Sequence, residues 1–180
     1  MALKCAVADI HMGGRKGGIT VDPKILSKGE LERLSRGWVR GLGDILGPQK
    51  DVPAPDVNTT PEIMDWMTEE YEKINGDKSK ATFTGKSTEK GGSEGRGPAT
   101  GLGGFYVFDS LRFQLGLPEK CKVVIQGFGN VGLNAAKIFS QNGHLIVGIS
   151  DSKGGIYNEN GLDIEKLAKH KEETGFLSGF

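Results

Sequence analysis

Lys122-Val-Val-Ile-Gln-Gly-Phe-Gly-Asn-Val-Gly132 decides the fold of this chain. Lys122 to Gln126 is a short apolar run of the kind that forms a buried strand. Gly127-x-Gly129-x-x-Gly132 follows at once, and a helix continues through Ala135, Ala136, Ile138 and Phe139 until Asn142-Gly143 closes it. Leu145-Ile-Val-Gly-Ile149 is a second strand, and Asp151 follows it, 19 residues past the last glycine. A strand, a glycine turn that opens a helix, a second strand and an acid about 20 residues on form the dinucleotide-binding fingerprint. The first glycine makes the turn, the second admits a pyrophosphate to the backbone, and the third lets helix and strand pack closely. The anion would sit on the helix N-terminus, where free N–H groups and the dipole favour it. The same spacing without a ligand would be a plain βαβ unit with a glycine turn.

Upstream of this block the pattern is mixed. Residues 4–10, KCAVADI, read as a short strand, and the HMGGRKGG that follows is too glycine-rich for regular structure. Ser27 with Glu30 forms a capping box for a helix over 28–46, with Leu31, Leu34, Trp38, Leu42 and Ile45 on one face. Gly47-Pro48 stops it. Asp51-Val-Pro-Ala-Pro-Asp56 is held extended by its prolines. Thr60 and Pro61 open another helix carrying Ile63, Met64, Trp66, Met67 and Ile74. Residues 75–98 are polar and glycine-rich, the expected domain boundary. A further helix is expected from Ala99 to about Gly116, and another from Asp163 to Thr174. The expected architecture is α/β: a partial substrate-binding α/β domain over 1–98, then the start of a Rossmann-type dinucleotide-binding domain over 99–180.

Composition narrows the function. Lys+Arg and Asp+Glu each total 23 in 180 residues, so no net charge points to nucleic acid or an anionic membrane. No apolar run approaches the roughly 18 residues that span a bilayer. The N-terminal MALKCAVADIHMGG lacks a signal-peptide layout, so a soluble, cytoplasmic protein is expected. Cys5 and Cys121 form no CxxC, and His11, His144 and His170 stand alone, so no metal is expected. Glycine is the outlier at 29 residues, about twice its usual share. Gly85-Lys86-Ser87 resembles the end of a phosphate-binding P-loop, but Lys80 stands where that motif needs its first glycine.

Two residues outside the turn invite a chemical reading. Lys16 lies among Gly13, Gly14, Gly17 and Gly18, which let a backbone fold around a small ligand. Burial there would lower the ammonium pKa and make lysine a base near neutral pH. Asp56 ends a rigid segment that could fix one carboxylate. Lysine and carboxylate together form an acid/base pair. Against this, a loop lysine is commonly solvated, and an aspartate after proline commonly makes a turn or cap.

The blocks KCAVADIHMGGRKGGITVDP, DVPAPDVNTTPEIMDWM, TGKSTEKGGSEGRGPATGLGG, QGFGNVG and SDSKGGIYN, in this order and spacing, resemble the glutamate dehydrogenase family. They cover nearly the whole chain, and GGxKGG followed about forty residues later by PAPD is specific. The resemblance implies reversible oxidative deamination of glutamate to 2-oxoglutarate and ammonia with NAD or NADP. It matches Lys16 and Asp56 to the catalytic residues and Lys4 to the lysine that binds the substrate carboxylate. Arg96 and Thr100 match the nicotinamide end, and Gly127, Phe128, Gly129, Asn130, Val131 and Gly132 match the cofactor turn. Asp151 would accept the ribose hydroxyls of NAD, or Ser152 and Lys153 would hold the 2′-phosphate of NADP. The leucine, phenylalanine and valine dehydrogenases share the fold, but GGRKGG and VPAPD favour glutamate. A departure lies in TGKSTEKGGSEG, where the family has TGKP and apolar residues. Family members are typically homo-oligomers, commonly hexamers. Only two of about six nucleotide-domain strands are legible, so the chain resembles a central fragment, expected to be inactive alone. A noncatalytic nucleotide-binding or regulatory module is the alternative.

Overall fold

The computed structural model describes all 180 residues. They form two compact units, Met1–Gly92 and Ser93–Phe180.

The first unit begins with a correction. Residues 4–10 are not a strand: α1 spans Ala2–Val7. Alanine, leucine and lysine dominate this stretch, and all are strong helix formers. A strand would need a neighbour for its backbone groups, whereas the helix pairs them locally. Cys5 donates its amide to Met1 O at 3.0 Å, Ala8 to Lys4 O at 3.1 Å, and Ile10 to Cys5 O at 2.9 Å. Residues 13–18, with their four glycines, take no regular structure.

Helix α2 (Lys28–Leu42) opens on the expected capping box. Glu30 donates its amide to Ser27 Oγ at 3.3 Å, and Ser27 donates its amide to Glu30 Oε2 at 2.9 Å. The helix stops at Leu42 rather than Leu46, because the chain turns down and buries Leu46 in the core. Helix α3 (Pro61–Asn75) is capped by Thr60 and ends at Gly76, whose φ of 67° suits glycine. The two helices close on Val39, Met64, Met67, Tyr71 and Phe83. At the rim of this core, Arg36 pairs with Glu32 and Glu69, both at 2.8 Å, and donates to Trp66 O at 3.1 Å.

The Gly85-Lys86-Ser87 stretch clips this unit together. Lys86 is buried and donates from Nζ to the carbonyls of Lys80 and Phe83. Burial pushes its ammonium below the ordinary lysine range. The Ser87 amide donates to Asp65 Oδ1 at 3.0 Å. Only a single 3-10 turn, Thr88–Lys90, follows, where a P-loop would open a helix.

The second unit carries α4 (Arg96–Arg112), β1 (Lys122–Gln126), α5 (Asn130–Gln141), β2 (Leu145–Ser150), β3 (Gly155–Tyr157) and α6 (Ile164–Thr174). Strands β1 and β2 are parallel, from Lys122 opposite Leu145 to Gln126 opposite Ser150, with one irregularity after Val123. The three residues of β3 pair antiparallel to β2, a strand the sequence did not announce. Its Gly-Ile-Tyr is too short for a period-2 signal. The chain as a whole is therefore α/β, with its sheet in this unit. Ala136, Ile146, Ile149, Ile164, Leu167 and Leu177 fill the core between sheet and helices. Edge strand β1 leaves Val124 70 % exposed on its outer face, and Phe113 beyond α4 is 91 % exposed.

Helix α4 lies on α5 through Gly101. A Cβ there would stand 2.7 Å from Ala135 N and 3.1 Å from the Asn134 carbonyl carbon. Gly to Ala inside a helix ordinarily gains up to about 1 kcal/mol in propensity. Here the contact is with backbone that cannot yield, so Gly101→Ala is expected to cost about 1–3 kcal/mol instead. Urea unfolding of the variant checks this; a raised midpoint would contradict it.

Candidate active site

In the first unit the glycine loop meets the proline segment through charge. Lys16 Nζ pairs with Asp56 Oδ2, and the neighbouring Arg15 Nη1 pairs with Asp51 Oδ2 at 3.2 Å. The structure thus brings Lys16 and Asp56 together across 40 residues of sequence. It does not bury them: the Lys16 side chain is 72 % exposed and that of Asp56 56 %. Within this unit, charge rather than desolvation sets the lysine's surroundings.

Asp56 is placed by its own turn. Its amide donates to Thr59 Oγ1 at 2.6 Å, while Thr59 donates its amide and its hydroxyl to Asp56 O at 3.1 and 2.7 Å. Asn58 takes the left-handed φ of 61° that this turn needs, as asparagine tolerates. One turn earlier, Thr84 donates its amide to Pro53 O at 3.0 Å. The proline segment is thus held at its middle by the 80–87 loop and at its ends by Arg15 and Lys16. Sequence reasoning missed Arg15, Asp51 and Thr84. The signal was present for the first two, as adjacent cations in the loop and acids at both ends of VPAP.

Lys4 sits exposed on α1, next to Cys5. Cys5 Sγ lies 3.7 Å from Gly13 O, and a Cβ on Gly14 would lie 2.9 Å from Ala2 Cα. The helix that carries Lys4 therefore abuts the glycine loop that carries Lys16.

In the second unit the conformation of the turn after β1 rests on its glycines. Gly127 has φ of 90°, a conformation that favours glycine. A side chain on Gly132 would run into the Gly127 carbonyl, so helix and turn touch only because that position is bare. Beside Gly129, the cap of α5, nothing lies within 4 Å of a built Cβ, which leaves room for close approach. Asn130 Nδ2 donates to Gly97 O at 2.9 Å and so fastens the start of α5 to the start of α4. That bond brings Arg96 and Thr100, both exposed on α4, to the same end of the unit as the turn. Phe128 is buried, whereas Val131 is 50 % exposed.

Asp151 faces inward. Its side chain is 6 % exposed and lies 3.4 Å from Lys171 Nζ. Lys153 donates its amide to Oδ1 at 2.8 Å, and Leu177 donates its amide to Oδ2 at 3.1 Å. Ser152 and Lys153 are the exposed members of this corner, with Lys153 Nζ 5.6 Å from the centre of the Phe176 ring. Lys171 and the 175–180 turn, which sequence reasoning passed over, thus hold the acid.

The chain is similar to known proteins along nearly its whole length. Residues 1–73 match the Glu/Leu/Phe/Val dehydrogenase dimerisation domain, and residues 91–180 match the Glutamate/Leucine/Phenylalanine/Valine dehydrogenase domain. The chain belongs to the Glu/Leu/Phe/Val dehydrogenase family. It is 46 % identical to the NADP-specific glutamate dehydrogenase of Synechocystis, over 99 % of this chain and 42 % of that protein. It is 44 % identical to the catabolic NAD-specific glutamate dehydrogenase of Bacillus subtilis, with the same coverage of both. Among solved structures it overlays the hetero-hexameric, leucine-bound glutamate dehydrogenase of Thermus thermophilus with a TM-score of 0.93 at 39 % identity. That match covers 99 % of this chain and 43 % of the other. The chain thus spans less than half the length of the relatives it matches.

Hydrogen bonds from the Lys153 and Leu177 amides, with Lys171 beside them, hold the Asp151 carboxyl below its ordinary value near 3.8. A depressed carboxylate stabilises the folded state above its ordinary pKa and loses that contribution as pH falls towards its folded value. Asp151→Asn is therefore expected to lower the urea midpoint at neutral pH. The midpoints of variant and parent should converge as pH falls below 3.8. Equal midpoints at neutral pH would contradict this.

Proposed function

We propose that the protein catalyses reversible, NAD(P)-dependent oxidative deamination of L-glutamate to 2-oxoglutarate and ammonia. In this reading residues 1–98 belong to the substrate and catalytic domain and 99–180 open the nucleotide-binding domain. The pairing of Lys16 with Asp56 is the observation that carries the reading, in a chain whose close relatives are named glutamate dehydrogenases.

A bound nicotinamide supplies the acceptor for the hydride of the substrate α-carbon. The Gly127–Gly132 turn fits its pyrophosphate: open beside Gly129, closed by packing at Gly132, and aimed by the N-terminus of α5. Arg96 and Thr100 line the nicotinamide end. The chain's own residues do the remaining work. Lys4 holds the α-carboxylate as a point charge. Once the substrate carries an iminium, Lys16 activates water for attack and steadies the developing negative charge. Asp56, in contact with Lys16, carries protons to and from the departing amine. Because both groups are exposed in this unit, water reaches them without a buried path.

The cofactor is NAD or NADP; one relative is named NADP-specific and another NAD-specific. The inward Asp151 leaves Ser152 and Lys153 as the polar side chains facing outward at the ribose corner, an arrangement that favours a 2′-phosphate. A homo-oligomer, commonly a hexamer in this family, and a cytoplasmic location complete the proposal. No helix is long and apolar enough to cross a membrane.

Lys16→Ala and Asp56→Asn in the intact protein are expected to lower kcat for glutamate by about 10²- to 10⁴-fold, the usual contribution of a positioned acid or base. Nucleotide affinity, measured with NAD and NADP separately, should stay as in the parent. Near-parental turnover in either variant removes the assignment. Nucleotide binding without any glutamate turnover in the parent would favour the noncatalytic module.

A further inference from the structure

The glycine loop presents two cations in succession, and only one is used by the reaction proposed above. We propose that Arg15 and Asp51 form a positioning pair that sets Lys16 against Asp56; this rests on the reading of Lys16 and Asp56 as the reacting groups.

Geometry carries the inference. Asp51 and Asp56 bracket Val-Pro-Ala-Pro, whose five steps span up to roughly 17 Å when extended. Arg15 and Lys16 are adjacent, so their Cα atoms stand about 3.8 Å apart. Their long side chains part to reach the two ends of the proline segment, where each finds a carboxylate. A single contact between Lys16 and Asp56 would leave the loop free to rotate about it. The second contact, at 3.2 Å, restricts that rotation. The segment itself cannot yield: two prolines stiffen it, and Thr84 grips Pro53 O with its amide at 3.0 Å and its hydroxyl at 3.4 Å. The backbone on either side of the two cations is glycine, with open space around Gly13, Gly17 and Gly18. The loop meets α1 through Gly13 and Gly14, so the two side-chain contacts act on the stretch that follows them.

The pair is too exposed to matter for folding. The Arg15 side chain is 64 % exposed and that of Asp51 34 %, and such pairs contribute little to global stability. Position is different, because a shift of about 1 Å at a reacting group costs about 10²-fold in rate.

The test is steady-state kinetics of the intact protein with glutamate and nucleotide. Arg15→Ala and Asp51→Asn should each lower kcat by about 10- to 100-fold while leaving the nucleotide KM and the unfolding midpoint unchanged. Arg15→Lys should restore most of the loss, since the contact is one nitrogen to one oxygen that an ammonium can reproduce. The double variant should be no slower than either single one, because both break the same contact. Parental kcat in Arg15→Ala, with Lys16→Ala inactive, overturns the positioning role and leaves the Lys16–Asp56 reading standing. A loss that Arg15→Lys does not restore, accompanied by a lowered unfolding midpoint, also overturns it and marks a structural role. Parental turnover in Lys16→Ala overturns both.

Discussion

A loop of four glycines in six residues has no preferred conformation of its own, and the candidate site depends on what fixes it. Ordering each backbone residue costs about 1–2 kcal/mol, and glycine stands at the top of that range. Each exposed ion pair returns about 1 kcal/mol or less. The Lys16–Asp56 and Arg15–Asp51 pairs therefore cannot order the loop alone. The remainder comes from contact with α1, where Gly14 lies against the backbone of Met1 and Ala2.

The second unit solves the opposite problem. There the glycines permit close packing rather than freedom. Gly132 lies against the Gly127 carbonyl, and Gly101 lies against the backbone of α5. One contact sets the helix on the turn and the other sets α4 on the helix. Asn130 then closes the corner by donating to Gly97 O. The stretches Gly97–Thr100 and Gly127–Gly132 are fixed to each other by side-chain-free surfaces and by the Asn130 and Asn134 amides, which both donate to Gly97 O. Substitution at any of these points displaces backbone, and backbone is what would touch a pyrophosphate.

Much of this was legible in the residues. The β1–turn–α5–β2 block follows from an apolar run and three glycines, because the period changes within a few residues, although the run expected to be buried lies at the sheet edge with Val124 exposed. The caps at Ser27 and Thr60 are side-chain chemistry that acts locally, and both helices begin where those residues stand. What failed depended on distant partners. The apolar residues of 4–10 alternate well enough for a strand, but alternation says nothing about whether a neighbouring strand exists to pair with. Residues 155–157 carry no pattern, and only their pairing with β2 makes them a strand. The inward turn of Asp151 was hidden for the same reason, since Lys171 comes from α6 and the Leu177 amide from beyond it.

Lys86 and Lys16 show how little a glycine-lysine motif says without its surroundings. Both adjoin a glycine, Gly17 and Gly85, and both invite a chemical reading in sequence. Lys86 is buried, with its ammonium given to two backbone carbonyls, so its proton is committed to structure. Lys16 is exposed, with a single carboxylate partner that is itself more than half open to solvent. Water can compete for both halves of that pair, and so can the carboxylate and amine of an amino acid. An ion pair that a zwitterion can enter is suited to recognise one. The buried lysine has no such exchange to make, and in the proposed reading the chemistry falls to Lys16.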